Sequence, residues 1–269
     1  MADQKLPRSA RSLKRRRVAA LMLIIGATTV GAACADVSTD PKLVASIAID
    51  PLPYPSIVAH DSLRDSLGIA RPISASVYNI QGKALAGMTL RFGTPDLGAT
   101  VDSVRGFVVA DTARPTAVRL IAAAGSLQAA PDTIYIVPAP DTATQLNPTD
   151  SLLYSLTDTA SAVSNPLQLQ LLHHIGAATT VPVRSYLVSY AIAYPADTVL
   201  AQLVSRDGSR RSSLDTTASD GSSARRVRVR PLSLRNANDS VVVIATVRYH
   251  GLPVPGTPLR FVLRVRPHP

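Results

Sequence analysis

Every one of the 18 acidic residues in this chain is aspartate; there is no glutamate anywhere. Glutamate favours helix interiors, whereas aspartate bonds to nearby backbone and favours caps and turns. With only four lysines beside 24 arginines, the Glu–Lys pairs that support exposed helices cannot form in number. What remains is rich in Val, Thr, Ile, Ser and Pro, with Asp set beside Gly, Ser and Thr, a vocabulary of strands and turns. The chain is therefore expected to be all-β.

Short alternating runs bear this out along the sequence. Strands are expected near 44–50, 73–78, 88–93, 100–103, 107–110, 117–123 and 133–137. Ile73, Ala75 and Val77 share one strand face, and Met88, Leu90 and Phe92 share another, so the two faces should meet in a core. Between them Asn79 to Lys83 forms a connection, with Gly82 able to take a positive φ. The prolines Pro138 and Pro140 and the polar stretch after them suggest a linker over 139–150. A second set of strands is expected near 152–156, 167–172, 185–194, 200–204, 226–230, 241–249 and 259–265, with Asp207-Gly208 and Asp220-Gly221 as turns.

The first set carries a recognisable pattern. Ala75-x-Val77, Gly82, Gly87, Leu90-Arg-Phe92, then Val101-Asp102-x-x-x-Gly106-x-Val108-x-Ala110, resembles the bacterial immunoglobulin-like domains of invasins, intimins and other surface proteins. The resemblance covers roughly 43–138. Phe92 stands where that family usually has Trp, and the chain has no Trp. It implies two immunoglobulin-like β-sandwich domains in tandem, at 43–138 and at 151–269, and roles in presentation, spacing or adhesion. One echo links the halves. Gly82-x-x-Leu85-Ala86-Gly87-x-x-Leu90-Arg91-Phe92 shares its spacing with Gly251-x-x-Val254-Pro255-Gly256-x-x-Leu259-Arg260-Phe261. A duplication and a recurring hairpin solution both explain it.

The start of the chain reads as an export signal. Seven Lys or Arg between Lys5 and Arg17 precede the neutral run Val18 to Ala33, which closes on Val30-Gly31-Ala32-Ala33-Cys34. Small residues before a cysteine resemble a bacterial lipoprotein signal, which implies that residues 1–33 are removed, that Cys34 carries lipid, and that 34–42 is a tether. Two acyl chains anchor firmly where one does not, since each buried methylene adds about 0.8 kcal/mol. Gly31 stands where that signal usually has an aliphatic residue, and two other fates are open. Ala33-Cys34-Ala35 also fits an ordinary small-x-small cleavage site that would release a soluble periplasmic or secreted protein. An uncleaved anchor is the third, although 16 residues fall short of the roughly 20 that span a bilayer.

Charge and chemistry narrow the function. The formal charge of +10 falls to +4 once the first 33 residues, with a net of +6, are set aside. No zinc-finger, helix-turn-helix or aromatic single-strand signature accompanies it, so nucleic acid is not an expected partner. One cysteine allows no internal disulfide. No Gly-x-Ser-x-Gly elbow occurs. His60 beside Asp61 has no nucleophile assigned to it, and His173-His174, adjacent on a strand, should point to opposite faces and so not chelate one metal. Asp207, Asp215 and Asp220 lack the spacing of a calcium loop and are expected to form turns. No catalytic residue, metal or cofactor is expected. The remaining signal is basic. Residues 34–140 carry a net of −1 and residues 141–269 a net of +5. Arg226, Arg228 and Arg230 alternate with Val227 and Val229, and Arg264 and Arg266 flank Val265, so guanidinium groups should project while valines pack. These five arginines are the candidate surface for an anionic envelope polymer, lipid headgroups or another surface protein. The expectation is a monomeric, exported cell-envelope binding or structural module, with a soluble exported protein and an enzyme accessory domain as alternatives.

Overall fold

The structure, a computed structural model, describes residues 43–147, 149–155, 162–176, 178–196, 200–230 and 240–268. Residues 1–42, with the expected signal segment, Cys34 and the expected tether, lie outside the described residues. Among the described residues every regular element is a strand. The first group comprises β1 (Ser46–Ile49), β2 (Ser56–Val58), β3 (Ala75–Tyr78), β4 (Arg91–Gly93) and β5 (Ala99–Val101). It continues with β6 (Val108–Ala110), β7 (Thr116–Ala124), β8 (Leu127–Gln128) and β9 (Asp132–Val137). One sheet runs β2-β9-β7-β4, with β8 on β7; opposite it stand the pairs β1-β3 and β5-β6. The Ile73 N–H, donating to the Gly106 carbonyl at 2.9 Å, joins those two pairs.

The second group comprises β10 (Thr142–Gln145), β11 (Thr149–Ser155), β12 (Ala162–Val163), β13 (Leu167–Ile175), β14 (Thr179–Pro182) and β15 (Leu187–Tyr194). Then follow β16 (Ala201–Val204), β17 (Leu214–Thr216), β18 (Ser222–Val229), β19 (Ser240–Thr246), β20 (Arg248–Tyr249), β21 (Leu252–Pro253) and β22 (Leu259–His268). Its five-stranded sheet runs β11-β22-β19-β15-β17, and the facing six-stranded sheet is built on β10-β13-β18 with β12, β14 and β16.

Both groups share one topology. The first strand pairs antiparallel in one sheet, β1 with β3 and β10 with β13; the chain then crosses over to run parallel to the last strand of the other sheet, β2 with β9 and β11 with β22. Two sheets, antiparallel but for this one parallel edge pair in each sandwich, packed face to face and linked in this order, are an immunoglobulin-like sandwich. No disulfide pins the sheets. In the second sandwich the interior is filled instead by Tyr190 and Phe261 with Leu167, Leu169, Leu171 and Leu263, all essentially inaccessible. The Tyr190 hydroxyl, unable to stay unpaired in such a core, meets Ser223 Oγ at 3.0 Å.

The family-like motif has a local cause. Asp102 Oδ1 accepts the N–H groups of Val104 and Arg105, the Gly106 N–H donates back to the Asp102 carbonyl, and Asp102 N–H donates to Phe107. Gly106 has φ +75°, and a Cβ there would lie 2.5 Å from the Ile73 carbonyl oxygen. Only glycine turns the chain and admits that close approach. Val108 and Ala110 then enter the core on alternate positions of β6.

Two expectations need correction. Residues 139–150 are not a linker throughout, because Thr142–Gln145 is β10 and Thr149–Ser155 is β11. Ala143 is buried between polar neighbours, and that single inward side chain with its ladder bonds suffices for a short strand. Met88 is exposed, whereas Val77 with Ile47, Ala122, Ala124 and Ala129 forms a small core against which Leu90 and Phe92 pack. As for the echo, its first copy joins β3 to β4 and its second lies between β19 and β22. All four glycines have positive φ, between 74° and 86°, at these different places in the topology. The shared spacing thus corresponds to a shared turn conformation.

Candidate functional site

The arginine positions were the expected site. On β18 the alternation is real: Val227 and Val229 are buried, Arg226 and Arg228 are half-buried and Arg230 is exposed. The flanking cover is heavier than a free sheet face would have. Arg228 donates to the Gly208 carbonyl at 2.6 Å, and Arg226 Nε is covered without a hydrogen-bond partner. Val204, opposite Arg226 in the ladder, is also buried. Arg264 and Arg266 are exposed on β22, in register with Ser151 and Leu153 of β11, and line an open groove of about 320 Å³ with Asp150. Because β18 and β22 belong to opposite sheets, the two sets look out from opposite faces of the sandwich and are not one surface.

Arg225, which sequence reasoning passed over, turns inward from β18. Its side chain is 8% exposed and forms an ion pair with Asp215 at 2.8 Å. The guanidinium also donates to the carbonyls of Ala224 and Leu214 and to Ser212 Oγ. Asp215 Oδ2 accepts Ser223 Oγ at 2.9 Å and the Ala224 N–H at 2.8 Å. Asp215 is thus part of a buried charge network and not a turn former, while Asp207 and Asp220 do cap turns, at Ser209 and Ser222.

His173 and His174 do not diverge as expected. Both ring Nδ1 atoms approach one carboxylate, Asp141, at 3.2 and 2.8 Å. Asp141 precedes β10 on the connection between the sandwiches, and its N–H donates to the Leu172 carbonyl at 3.1 Å, which sets its carboxylate beside both imidazoles. His173 Nδ1 also lies 2.9 Å from the Ala139 carbonyl. Among the described residues no three His, Cys, Asp or Glu side chains are arranged to hold a metal.

The densest polar geometry lies where the sandwiches meet, and it joins residues nearly 200 positions apart. Tyr54 and Tyr186 pack edge to face with centroids 5.2 Å apart. The Leu187 N–H donates to Tyr54 OH at 3.2 Å, and Tyr186 OH donates to the Arg248 carbonyl at 3.0 Å. Burial pushes both phenols well above their ordinary range, so both stay neutral hydrogen-bonding groups. Asp61 accepts Arg64 through Nε at 3.0 Å on Oδ2 and through an NH2 group at 2.9 Å on Oδ1, and His250 Nε2 lies 2.6 Å from the same Oδ2. Burial alone would raise the Asp61 carboxyl; the hydrogen bonds from Arg64, His250 and the Ser62 N–H outweigh it and hold it below the usual value. His60, beside Asp61 in sequence, is exposed, so the partner of Asp61 is the distant His250. Gly68 seals the contact: a Cβ there would lie 2.3 Å from the Gly251 nitrogen. A cavity of about 30 Å³ remains among Tyr54, Ser56, Asp61, Arg64, Tyr186 and His250, room for a water molecule and little more. On the other side of the joint Arg184 stacks on Tyr135 at 4.4 Å. Nothing local in the sequence marks the Tyr54–Tyr186, Asp61–His250 and Tyr135–Arg184 pairs, since each partner lies in the other sandwich.

Compared by sequence, the chain matches no family profile and no curated protein. Compared by structure, it is similar to domains 4 and 5 of the S-layer protein SbsC, with a TM-score of 0.31 and 12% identity over 83% of this chain and 98% of that one. It is similar to the Yersinia pseudotuberculosis adhesin InvE with a TM-score of 0.29 and 12% identity, over 84% of this chain and 61% of that one. For FdeC, an Escherichia coli adhesin, the TM-score is 0.29 and the identity 14%, over 83% of this chain and 65% of that one. Likenesses this distant say nothing of activity.

Proposed function

We propose that this protein is an exported cell-envelope module that binds or spaces rather than catalyses, held at a membrane through lipid on Cys34. The order of parts carries the reading: a basic segment, an apolar run closing on the only cysteine, a short polar tether, then two immunoglobulin-like sandwiches docked through a polar joint. A lipid at Cys34 would place the first sandwich within nine residues of the bilayer and present the second beyond it. The described polar clusters support a structural role, since Asp61, Asp141 and Asp215 are each engaged by basic side chains of this chain. Arg264 and Arg266, with their guanidinium groups exposed, are the better of the two basic surfaces for an anionic envelope polymer or a surface protein.

Mass spectrometry of the native amino terminus tests the anchor. Diacylated or triacylated Cys34 as the first residue is the expected result, and Cys34→Ser should then shift the protein out of membrane fractions or stall its processing. A second reading, favoured by the small-x-small run Ala33-Cys34-Ala35, is a soluble periplasmic or secreted protein. A mature chain beginning at Asp36 without lipid would establish that reading and remove the first.

A further inference from the structure

The chain enters the first sandwich at Leu43, and several strand ends gather around that point. β3 runs antiparallel to β1 and ends at Tyr78, whose carbonyl accepts the Ala45 N–H at 2.8 Å. The connection over 79–90 leaves from that end and returns to β4, where Arg91 stands opposite Ala123 of β7. The β7–β8 hairpin, with Ala124 opposite Leu127, closes at the same end, and Ile47 of β1 shares a small core with Ala122 and Ala124. Four large apolar side chains are exposed there: Leu43 at 53%, Ile80 at 48%, Met88 at 40% and Leu127 at 38%. Lys83 and Arg91 are exposed beside them, and the segments 43–49, 79–92 and 121–130 contain no aspartate.

We infer that this end is a membrane-contacting tip, which lays Leu43, Ile80, Met88 and Leu127 on the surface of the bilayer that holds the protein. Such a tip rests on the reading in which Cys34 carries lipid. Chain length decides what covers it: nine residues, 34–42, separate Cys34 from Leu43, and nine residues reach at most about 30 Å. A lipid on Cys34 therefore keeps this end of the sandwich beside the bilayer, where individually weak contacts act at a high effective concentration. β9 runs away from it antiparallel to β7, so the connector and the second sandwich leave from the far end. Apolar side chains left half in water gain by entering the boundary of headgroups and acyl chains, while the stems of Lys83 and Arg91 lie along it with their charges in water. Asp36 and Asp40 outnumber Lys42 in the nine residues before Leu43, so apolar burial and not charge holds the contact. Exposed apolar residues elsewhere in this sandwich differ in setting. Leu67, Leu97 and Val104 each stand within two residues of an aspartate, Asp65, Asp96 and Asp102, which would have to be desolvated with them.

The chain has no tryptophan, so a single introduced indole reports without background. The full-length protein carrying Leu127→Trp, purified from membranes and reconstituted into vesicles of phosphatidylcholine, which has no net charge, tests the contact. Flotation of the vesicles reports the anchor. Bromine on the upper acyl carbons should then quench the indole about two-fold, because apolar faces that bind at the interface sink about 5–10 Å into it. Leu97→Trp is the control: that position is 96% exposed and precedes Gly98, which lies against Thr116 and Ile136 at the connector end of the same sandwich. The nine residues of β7 set the two ends about 27 Å apart, so no quenching is expected there. Ile80→Ser and Met88→Ser, added to the Leu127→Trp chain, should lower quenching to the control level while flotation stays unchanged. Vesicles that carry the protein without quenching overturn the tip and leave the anchor standing, as does equal quenching of both indoles or quenching that survives the two serines. Protein that does not float removes the anchor and the tip with it.

Discussion

Gly68 and Arg225 show how much a single position decides in this protein. Gly68 sits at φ +82° against the backbone of His250 and Gly251, so Gly68→Ala forces either a strained backbone or a retreat of one sandwich from the other. A loss of about 2 kcal/mol in urea unfolding is expected, together with faster hydrogen exchange in 248–252; unchanged stability would mean that the close approach is relaxed. Arg225 balances Asp215 inside the second sandwich. Arg225→Ala strands that carboxylate with no cation, and breaking a buried pair in this way costs about 3 kcal/mol. The double variant with Asp215→Ala should recover much of the loss, a coupling readable by a double-mutant cycle. Acid acts through the same kind of group. Asp61, Asp65, Asp141 and Asp96, the last at about 2, are held below the ordinary carboxylate value, each by hydrogen bonds from arginine, histidine or backbone N–H. Their contribution is complete above about pH 4 and is lost as pH falls through their lowered values. The melting temperature should accordingly be lower at pH 3 than at pH 6, with the drop reduced in Asp61→Asn.

At the scale of elements, strands were legible where one face is apolar over several residues. The runs at 117–123 and 133–137 appear as β7 and β9, and 259–265 as the start of β22. The elements missed are those whose partner lies elsewhere in the chain: β2 has only three residues, and β10 has one inward alanine. Tertiary pairing supplies what local pattern lacks. The place of 142–145 in a paired strand bears on proteolysis. A protease should cut 139–150 slowly, because β10 is paired with β13 and its Gln145 amide donates to the Arg260 carbonyl at 2.8 Å. The arginines separate in the same way. Arg264→Ser with Arg266→Ser should leave stability within about 0.5 kcal/mol and remove most salt-sensitive binding to anionic vesicles or envelope polysaccharide. Arg226→Thr, Arg228→Thr and Arg230→Thr together should lower stability, since Arg228 ties down the turn at Gly208. Full retention of binding by the β22 pair variant would show that face to be solubilising surface only.

For the whole molecule, circular dichroism should show less than about 15% helix against the roughly 30% of an average globular protein, in keeping with a described chain built of strands alone. A buried core that runs through both sandwiches and is bridged by Tyr54 and Tyr186 implies that the two resist unfolding together more than they would apart. The sequence by itself determined the class of fold, through aspartate without glutamate and through period-two alternation, because helix propensity and strand burial are local properties of residue type. It also determined the turns, as Asp102 with Gly106 shows, since a capping carboxylate and a positive φ act within a few residues. Only the tertiary structure decided which charges are spent and which are free. Arg225 turned inward, Arg228 tied a turn, His173 and His174 converged on Asp141, and Asp61 found His250, because a charged side chain's partner is set by what the fold brings within a few ångströms, and Coulomb attraction carries no record of distance along the chain.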